Sequence, residues 1–149
     1  MIAVLQRVSR ASVTVEQHII AEIGPGLLLL AGLEKSDGDD DLDHIARKCV
    51  ELRIFPDSEG KMNRSVLESG GSILAVSQFT LAADIRKGRR PSFDTAMPPD
   101  GASTLFDLFA KKLSSLGVTV ATGSFGAHMQ VALVNDGPVT FILDSRKRL

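Results

Sequence analysis

The stretch MQVALVNDGPVTFILD at residues 129–144 constrains the fold more than any other part of the chain. Two apolar runs, at residues 129–134 and 139–143, flank the tetrapeptide Asn135-Asp136-Gly137-Pro138 and have the composition of β-strands. Asn-Asp-Gly alone is typical of a tight hairpin turn. A proline directly after the glycine fixes φ and removes a backbone donor where the second strand begins. The sequence therefore predicts two strands joined by a proline-stiffened turn, whose Gly137-Pro138 bond is of the kind that can be cis.

The remaining patterns predict further strands and two helices. Strand patterns lie at residues 2–8, 11–16, 19–23, 27–33, 72–79 and 118–121. Amphipathic spacing predicts one helix after the acidic residues 37–41 and a second from Pro98-Pro99 to Gly117. This order does not fit a regular βαβ repeat. We therefore predict a single α+β domain over residues 1–149, with a mixed, strongly curved, barrel-like sheet, two main helices and a solvated basic tail.

Charge and cysteine content limit the classes of partner and compartment. The chain has 149 residues, is 44% hydrophobic and carries a net charge of −1, so a polyanion must be bound by a local basic patch. The single cysteine, Cys49, excludes an internal disulfide and lies on the apolar stripe of the first predicted helix. Neither a membrane-spanning run nor a signal-peptide pattern is evident, which predicts a cytoplasmic protein without membrane contact.

The side chains that usually carry catalysis are few. None of the three histidines has the spacing of a metal site, and the acidic run lacks the remaining ligands of an EF-hand, so no metal and no cofactor are predicted. Ser77-Gln78-Phe79-Thr80 closes a predicted buried strand, where backbone N–H groups and hydroxyls can form an oxyanion site. Many strands also end in Ser and Thr with no such role.

A short basic loop follows this segment. It contains Arg86, Lys87, Arg89 and Arg90. These side chains offer local positive charge to the phosphates of a ligand bound near Thr80, or they form an ordinary solvated loop.

Two motifs together resemble one known family. SQFTLAAD at residues 77–84 and NDGPVT at residues 135–140 are similar to the signature motifs of D-aminoacyl-tRNA deacylases, and the likeness extends over QRVSRASVTV, FPDSEGKMN and GRRPSF elsewhere in the chain. The resemblance implies hydrolysis of the ester that joins a D-amino acid, or glycine, to the 3′-terminal adenosine of tRNA. It also implies a homodimer with the active site at the subunit interface.

The resemblance further implies roles for particular residues. Ser77, Gln78, Phe79 and Thr80 would form the catalytic floor, with backbone N–H groups near Phe79 and Thr80 stabilising the oxyanion and the ribose 2′-OH assisting. Gly137-Pro138 would be cis and would enter the partner's pocket, where its carbonyls hold the α-amino group and exclude an L side chain. Arg7 would brace this corner. Phe125 and Met129 would line the pocket, and the basic loop would contact tRNA phosphates.

Two alternatives remain open at the level of sequence. A non-catalytic module that binds RNA ends would use the same basic loop, and its binding would weaken steeply with salt. An esterase with a Thr or Ser nucleophile would pass through an acyl-enzyme, although no residue is placed by sequence to activate Thr80.

Overall fold

The computed structural model describes residues 1–148 of the chain. Within those residues the chain forms eight strands, two α-helices and one 3₁₀ helix. In chain order they are β1 (Ile2–Val15), β2 (His18–Ile23), β3 (Gly26–Gly32), α1 (Asp39–Glu51), β4 (Phe55–Pro56), β5 (Met62–Arg64), β6 (Ser72–Ser77), the 3₁₀ helix (Phe79–Ala82), α2 (Pro99–Ser115), β7 (Thr119–Thr122) and β8 (Gln130–Asp144). No helix among residues 1–148 is both long and apolar enough to cross a membrane.

Six of the strands form one mixed, curved sheet. Strand β1 pairs antiparallel with β2, β3 and β8, whereas β3, β6 and β7 run parallel to one another. Strand β2 also contacts β6 and β7, which brings the two ends of the sheet together into a nearly closed barrel. The predicted α+β class, with a mixed barrel-like sheet and two main helices, is confirmed.

The pairing of the sheet changes at the same height in β1, in β8 and between β2 and β3. The patterns at residues 2–8 and 11–16 belong to the single strand β1, whose neighbour changes from β3 to β2 along its length. Gly24 and Pro25 separate β2 from β3, and β8 loses its regular register opposite the same part of β1. Because proline cannot donate to a ladder, Pro25 is suited to this break.

The tetrapeptide at residues 135–138 does not reverse the chain, so the predicted hairpin turn is wrong. Both flanking runs belong to β8, and both pair antiparallel with β1. Gln6 lies opposite Thr140 and Val8 opposite Asn135, so Arg7 alone on β1 faces residues 136–139 on β8. The local sequence contained a turn signal, but pairing with a distant strand converted it into an enlarged β-bulge.

Two apolar layers pack on opposite faces of the sheet. The helices contribute Leu42, Ile45, Ala46, Cys49, Ala102, Phe106, Phe109 and Leu113 to one layer. The layer inside the barrel contains Val8, Ala11, Val13, Leu28, Leu74 and Val76. Strands β3 and β6 are therefore buried on both faces, which explains their continuous apolar sequences. Cys49 is a core residue as predicted, and burial raises the pKa of its thiol to about 12.

The helix ends follow local sequence signals. Helix α1 begins at Asp39, and the Asp41 carboxylate accepts a hydrogen bond from the Gly38 N–H at 2.9 Å. Helix α2 begins at Pro99, where the missing N–H costs nothing, and Gly117 follows it with φ +99°. Both predicted helices are confirmed.

The basic tail is not a solvated end. Arg148 donates to both carboxylate oxygens of Glu34 at 3.0 and 2.6 Å and also pairs with Asp144. Arg146 donates to Asp37 at 2.6 Å. Glu34 and Asp37 are buried, and their positive partners are the two tail arginines together with the N-terminal ammonium of Met1, which lies 2.6 Å from Asp37 Oδ1. Glu34 and Asp37 lie more than 100 residues before the tail, so no local sequence pattern predicted these ion pairs.

Candidate active site

The segment Ser77 to Thr80 lies where β6 passes into the 3₁₀ helix. Strand β6 ends at Ser77, earlier than predicted, and the Gln78 N–H donates to the Ala31 carbonyl at 2.8 Å. Phe79 and Thr80 open the 3₁₀ helix, and neither of their N–H groups has a backbone acceptor within residues 1–148. Free N–H groups at a helix start are suited to stabilising negative charge.

The Thr80 hydroxyl contacts an amide rather than a base. The Gln78 side-chain amide donates a hydrogen bond to Thr80 Oγ1. An amide donor cannot remove a proton from the hydroxyl, and it leaves the Thr80 O–H free to donate elsewhere. This contact favours a hydrogen-bonding hydroxyl over a nucleophilic one.

A cleft of about 550 Å³ adjoins this segment. Its lining includes Ser77, Gln78, Phe79, Phe93, Met97, Phe125, His128 and Met129. Thr80 is not among the lining residues. Phe125 also packs against Phe106, with ring centroids 6.3 Å apart, and Met129 fills the space beside Gly123. Phe125 and Met129 therefore line the cleft while they are anchored in the core.

The Gly137-Pro138 corner, defined as the bulge of residues 136–139, lies outside the lining of this cleft. The peptide bond is cis, and both Gly137 and Pro138 are exposed. Neither residue lines the cleft of its own chain. Gly137 has φ +150°, and a Cβ there would lie 2.6 Å from Val139 Cγ2, so only glycine fits without a shift.

Arg7 holds the corner from the side of β1. Its Nε donates to the Asp136 carbonyl at 2.9 Å, and its Nη1 donates to the Ile54 carbonyl at 2.7 Å. The Arg7 side chain is only 11% exposed, which distinguishes it from a solvated surface arginine. Arg7 thus joins the corner to the segment that precedes β4.

Asn135 holds the corner from within β8, a role that the sequence analysis did not assign to it. Its Oδ1 accepts from the Val139 N–H at 2.6 Å, and its Nδ2 donates to Thr140 Oγ1 at 2.9 Å. The side chain therefore closes the bulge across its base, while the buried Val139 anchors the far side. The available signal was the general ability of Asn to bond nearby backbone groups.

The basic loop, residues 85–91, extends from the end of the 3₁₀ helix. Asp84 and Ser92 exchange two backbone hydrogen bonds, at 2.8 and 3.0 Å, which close its base. Arg86 is paired with Asp84, and its hydrogen bonds hold the pKa of that carboxyl well below the usual range. Lys87, Arg89 and Arg90 are exposed and make no salt bridge within the described part of the chain. Within this loop, the positive charge that is available to phosphates therefore lies on Lys87, Arg89 and Arg90.

The histidines are dispersed. His18 begins β2, His44 lies in α1, and His128 precedes β8 at the cleft, where it is the one ionisable side chain in the lining. Residues 1–148 contain no group of three or more His, Cys, Asp or Glu placed to hold a metal ion. His128 and Phe93 are cleft residues that the sequence did not select, because their proximity to Phe79 arises from long-range packing.

Comparisons with known proteins agree on one family. The model of the D-Tyr-tRNA(Tyr) deacylase family matches residues 4–144. A D-aminoacyl-tRNA deacylase of Syntrophotalea carbinolica is 58% identical over 147 residues, which cover 99% of this chain and 99% of the relative.

Solved structures share the fold. One described as a c-Myc DNA Unwinding Element Binding Protein has a TM-score of 0.93 at 43% identity, over 97% of this chain and 98% of the other. A second, described as "a probable eukaryotic D-amino acid tRNA deacylase", has a TM-score of 0.80 at 19% identity, over 95% and 97%, and shows the fold alone.

The family match and the full-length relative define the class of protein as a hydrolase that acts on aminoacyl-tRNA. The chain belongs to the D-Tyr-tRNA(Tyr) deacylase family. Membership confirms the resemblance drawn from the two motifs and makes the chain a hydrolase that acts on aminoacyl-tRNA.

Proposed function

We propose that the protein hydrolyses the ester of D-aminoacyl-tRNA, and of glycine mischarged on tRNA, to release the amino acid and free tRNA. The observation that carries this proposal is the Gly137-Pro138 corner, which Arg7 and Asn135 hold rigidly outside its own cleft. Residues 1–149 act as one deacylase domain, without metal or cofactor, in the cytoplasm where aminoacyl-tRNA is used.

The chemical step uses backbone donors. Water adds to the ester carbonyl, and the electron pair of the carbonyl bond moves to its oxygen, where the N–H groups of Phe79 and Thr80 stabilise the charge. Collapse of this intermediate breaks the bond to the ribose 3′ oxygen, which takes up the proton that the attacking water gives up. The neighbouring 2′-OH assists this proton transfer, since Gln78 and Thr80 supply no base.

Selectivity comes from the corner of the second subunit. In a homodimer the corner enters the partner's cleft, its main-chain carbonyls hold the α-amino group, and its rigid wall rejects an L side chain. A wall on one side of Cα discriminates by exclusion, which accepts both D-amino acids and glycine. Val134, Phe141 and Ile142 are exposed on β8 at either side of the corner and offer an apolar contact to a second copy.

The tRNA body is held by charge. Lys87, Arg89 and Arg90 contact backbone phosphates near the acceptor end, while Arg86 shapes the loop through Asp84. Neutralised phosphates release counterions, so the affinity for tRNA falls as salt rises.

The test compares the two enantiomers on the same tRNA. Purified protein, treated with a chelator, is incubated with D-Tyr-tRNA, L-Tyr-tRNA and glycyl-tRNA, and the remaining ester is measured over time. We expect rapid loss of the D and glycyl esters and persistence of the L ester. Salt-sensitive binding without loss of the D ester would instead identify an RNA-end-binding module, and a trapped acyl group on Thr80 would identify a nucleophilic esterase.

A further inference from the structure

The segment that leaves the basic loop is tied to the 3₁₀ helix by two contacts. The Phe93 ring packs against the Phe79 ring, with centroids 5.0 Å apart and planes inclined at 57°. The Thr95 hydroxyl donates to the Ala82 carbonyl at 2.7 Å. These contacts join both ends of the 3₁₀ helix to residues that lie directly beyond the basic loop.

The same segment is fixed to the sheet on its other side. The Lys35 N–H donates to the Thr95 carbonyl at 3.0 Å, and the Met97 N–H donates to the Leu33 carbonyl at 3.0 Å. Phe93 thus lies between two held points, because Ser92 pairs with Asp84 at the base of the loop and Thr95 and Met97 are held on the other side.

Among residues 1–148, the Phe79 ring has one aromatic neighbour, Phe93. Phe79 is 54% exposed although it lines the cleft. Phe93 is 39% exposed and lines the same cleft. A tilted aromatic pair is stabilised beyond the area that it buries, so each ring helps to fix the other.

We propose that Phe93 is a positioning residue that couples phosphate binding at the basic loop to the placement of Phe79 in the cleft. This inference rests on the proposed function of the loop as a tRNA contact. Phosphates bound by Arg89 and Arg90 immobilise the loop, Phe93 then fixes the Phe79 ring, and the N–H groups at the start of the 3₁₀ helix take their stabilising position. Contacts with the tRNA body thereby raise the rate of hydrolysis in addition to the affinity.

The experiment compares a complete substrate with one that lacks phosphates. Single-turnover rate constants at saturating enzyme are measured for D-Tyr-tRNA and for the 3′-O-(D-tyrosyl) ester of adenosine. For the native enzyme we expect the tRNA ester to react faster than the adenosine ester. The ratio of the two rate constants should fall by about twofold to tenfold in Phe93→Leu, and similarly in the double variant Arg89→Gln/Arg90→Gln.

Combining the variants separates coupling from independent effects. The triple variant combines Phe93→Leu with Arg89→Gln and Arg90→Gln. Its ratio of rate constants should be no lower than that of Phe93→Leu alone, because both changes interrupt the same coupling between the loop and Phe79. Phe93→Tyr, which keeps the ring, should restore the ratio. Leu108→Ala, which truncates an exposed apolar side chain on α2, should keep the native ratio, and thermal unfolding verifies the fold of each variant.

Two results would overturn the coupling. One is an equal loss of rate on both substrates in Phe93→Leu, which indicates a structural role only. The other is that Arg89→Gln/Arg90→Gln raises the enzyme concentration needed to half-saturate D-Tyr-tRNA but leaves the ratio of the two rate constants unchanged. Absence of any turnover of D-Tyr-tRNA by the native enzyme would instead reject the proposed function itself.

Discussion

Gly137 shows how one residue determines the shape of the corner. Its φ of +150° lies in a region that L-residues avoid, and Val139 occupies the space where a side chain would begin. Val139 cannot easily retreat, because it is buried and its N–H is held by Asn135. Glycine is therefore required by two independent constraints.

Replacing Gly137 with alanine should damage both stability and hydrolysis. We expect Gly137→Ala to lower the free energy of unfolding by about 1–3 kcal/mol, measured by urea denaturation, because the backbone region is unfavourable for alanine. Displacement of the corner should also reduce hydrolysis of D-Tyr-tRNA by on the order of tenfold to a hundredfold.

Gly24→Ala is the matched control, since a Cβ at Gly24 has no atom within 4 Å and the residue does not have a positive φ. Its free energy of unfolding should change little. Equal losses of stability in the two variants would contradict the special role of position 137.

At the scale of elements, the parts that the sequence predicted are those with a local cause. Helix α1 followed from acidic residues before an amphipathic stripe, and β3 from a continuous apolar run. The bulge was mistaken for a turn because its form depends on β1, more than 120 residues away in sequence, as the Arg7 contact to Asp136 shows. The roles of Phe93 and Asn135 were not predicted either, because Phe93 meets Phe79 only through tertiary packing and Asn135 bonds Val139 across a bulge that the sequence did not predict.

The tail cluster of Glu34, Asp144 and Arg148 makes stability depend on pH at the acid end. The hydrogen bonds and charge of Arg148 lower the pKa of Glu34. Burial acts to raise the pKa of Asp144, but hydrogen bonds from Arg148 and the Arg146 backbone outweigh it and lower that pKa to about 2. Above the unfolded values of about 4 both states are ionised. As pH falls from about 4 to about 2, the unfolded chain takes up protons first, so the contribution of these groups to stability is lost.

Arg148→Gln should remove much of this dependence. At pH 7 we expect the free energy of unfolding to fall by roughly 1.5–3 kcal/mol, the range for hydrogen bonds to charged groups. Near pH 2 the difference from the native protein should be smaller. Arg47→Gln, at an exposed position on α1, serves as the control. An equal loss at both pH values would contradict the assigned ion pairs.

At the scale of the whole molecule, the cleft and the corner of one chain are separate features. The cleft is lined by residues near Phe79 and Phe125, whereas Gly137 and Pro138 are exposed outside it. In the homodimer that we propose, the corner of a second copy completes the cleft.

Mixed dimers test this arrangement directly. Phe79→Ala disables the cleft and Gly137→Ala disables the corner, so each variant alone should hydrolyse D-Tyr-tRNA slowly. After the two are unfolded and refolded together, about a quarter of the sites should combine an intact cleft with an intact corner and recover activity. Sedimentation verifies the dimer. No recovery above the mean of the separate variants would show that each site is built from one chain.

The bulge also sets limits on how the length of the chain can vary. Pairing of Gln6 with Thr140 and of Val8 with Asn135 fixes the register of β8 on both sides of the corner. An inserted or deleted residue in either half would turn every following side chain to the opposite face of the sheet. We therefore expect the sheet to tolerate insertions and deletions in this stretch only at residues 136–139, where any change of length would alter the reach of the corner. The number of residues in the corner should consequently be as restricted as the identity of Gly137.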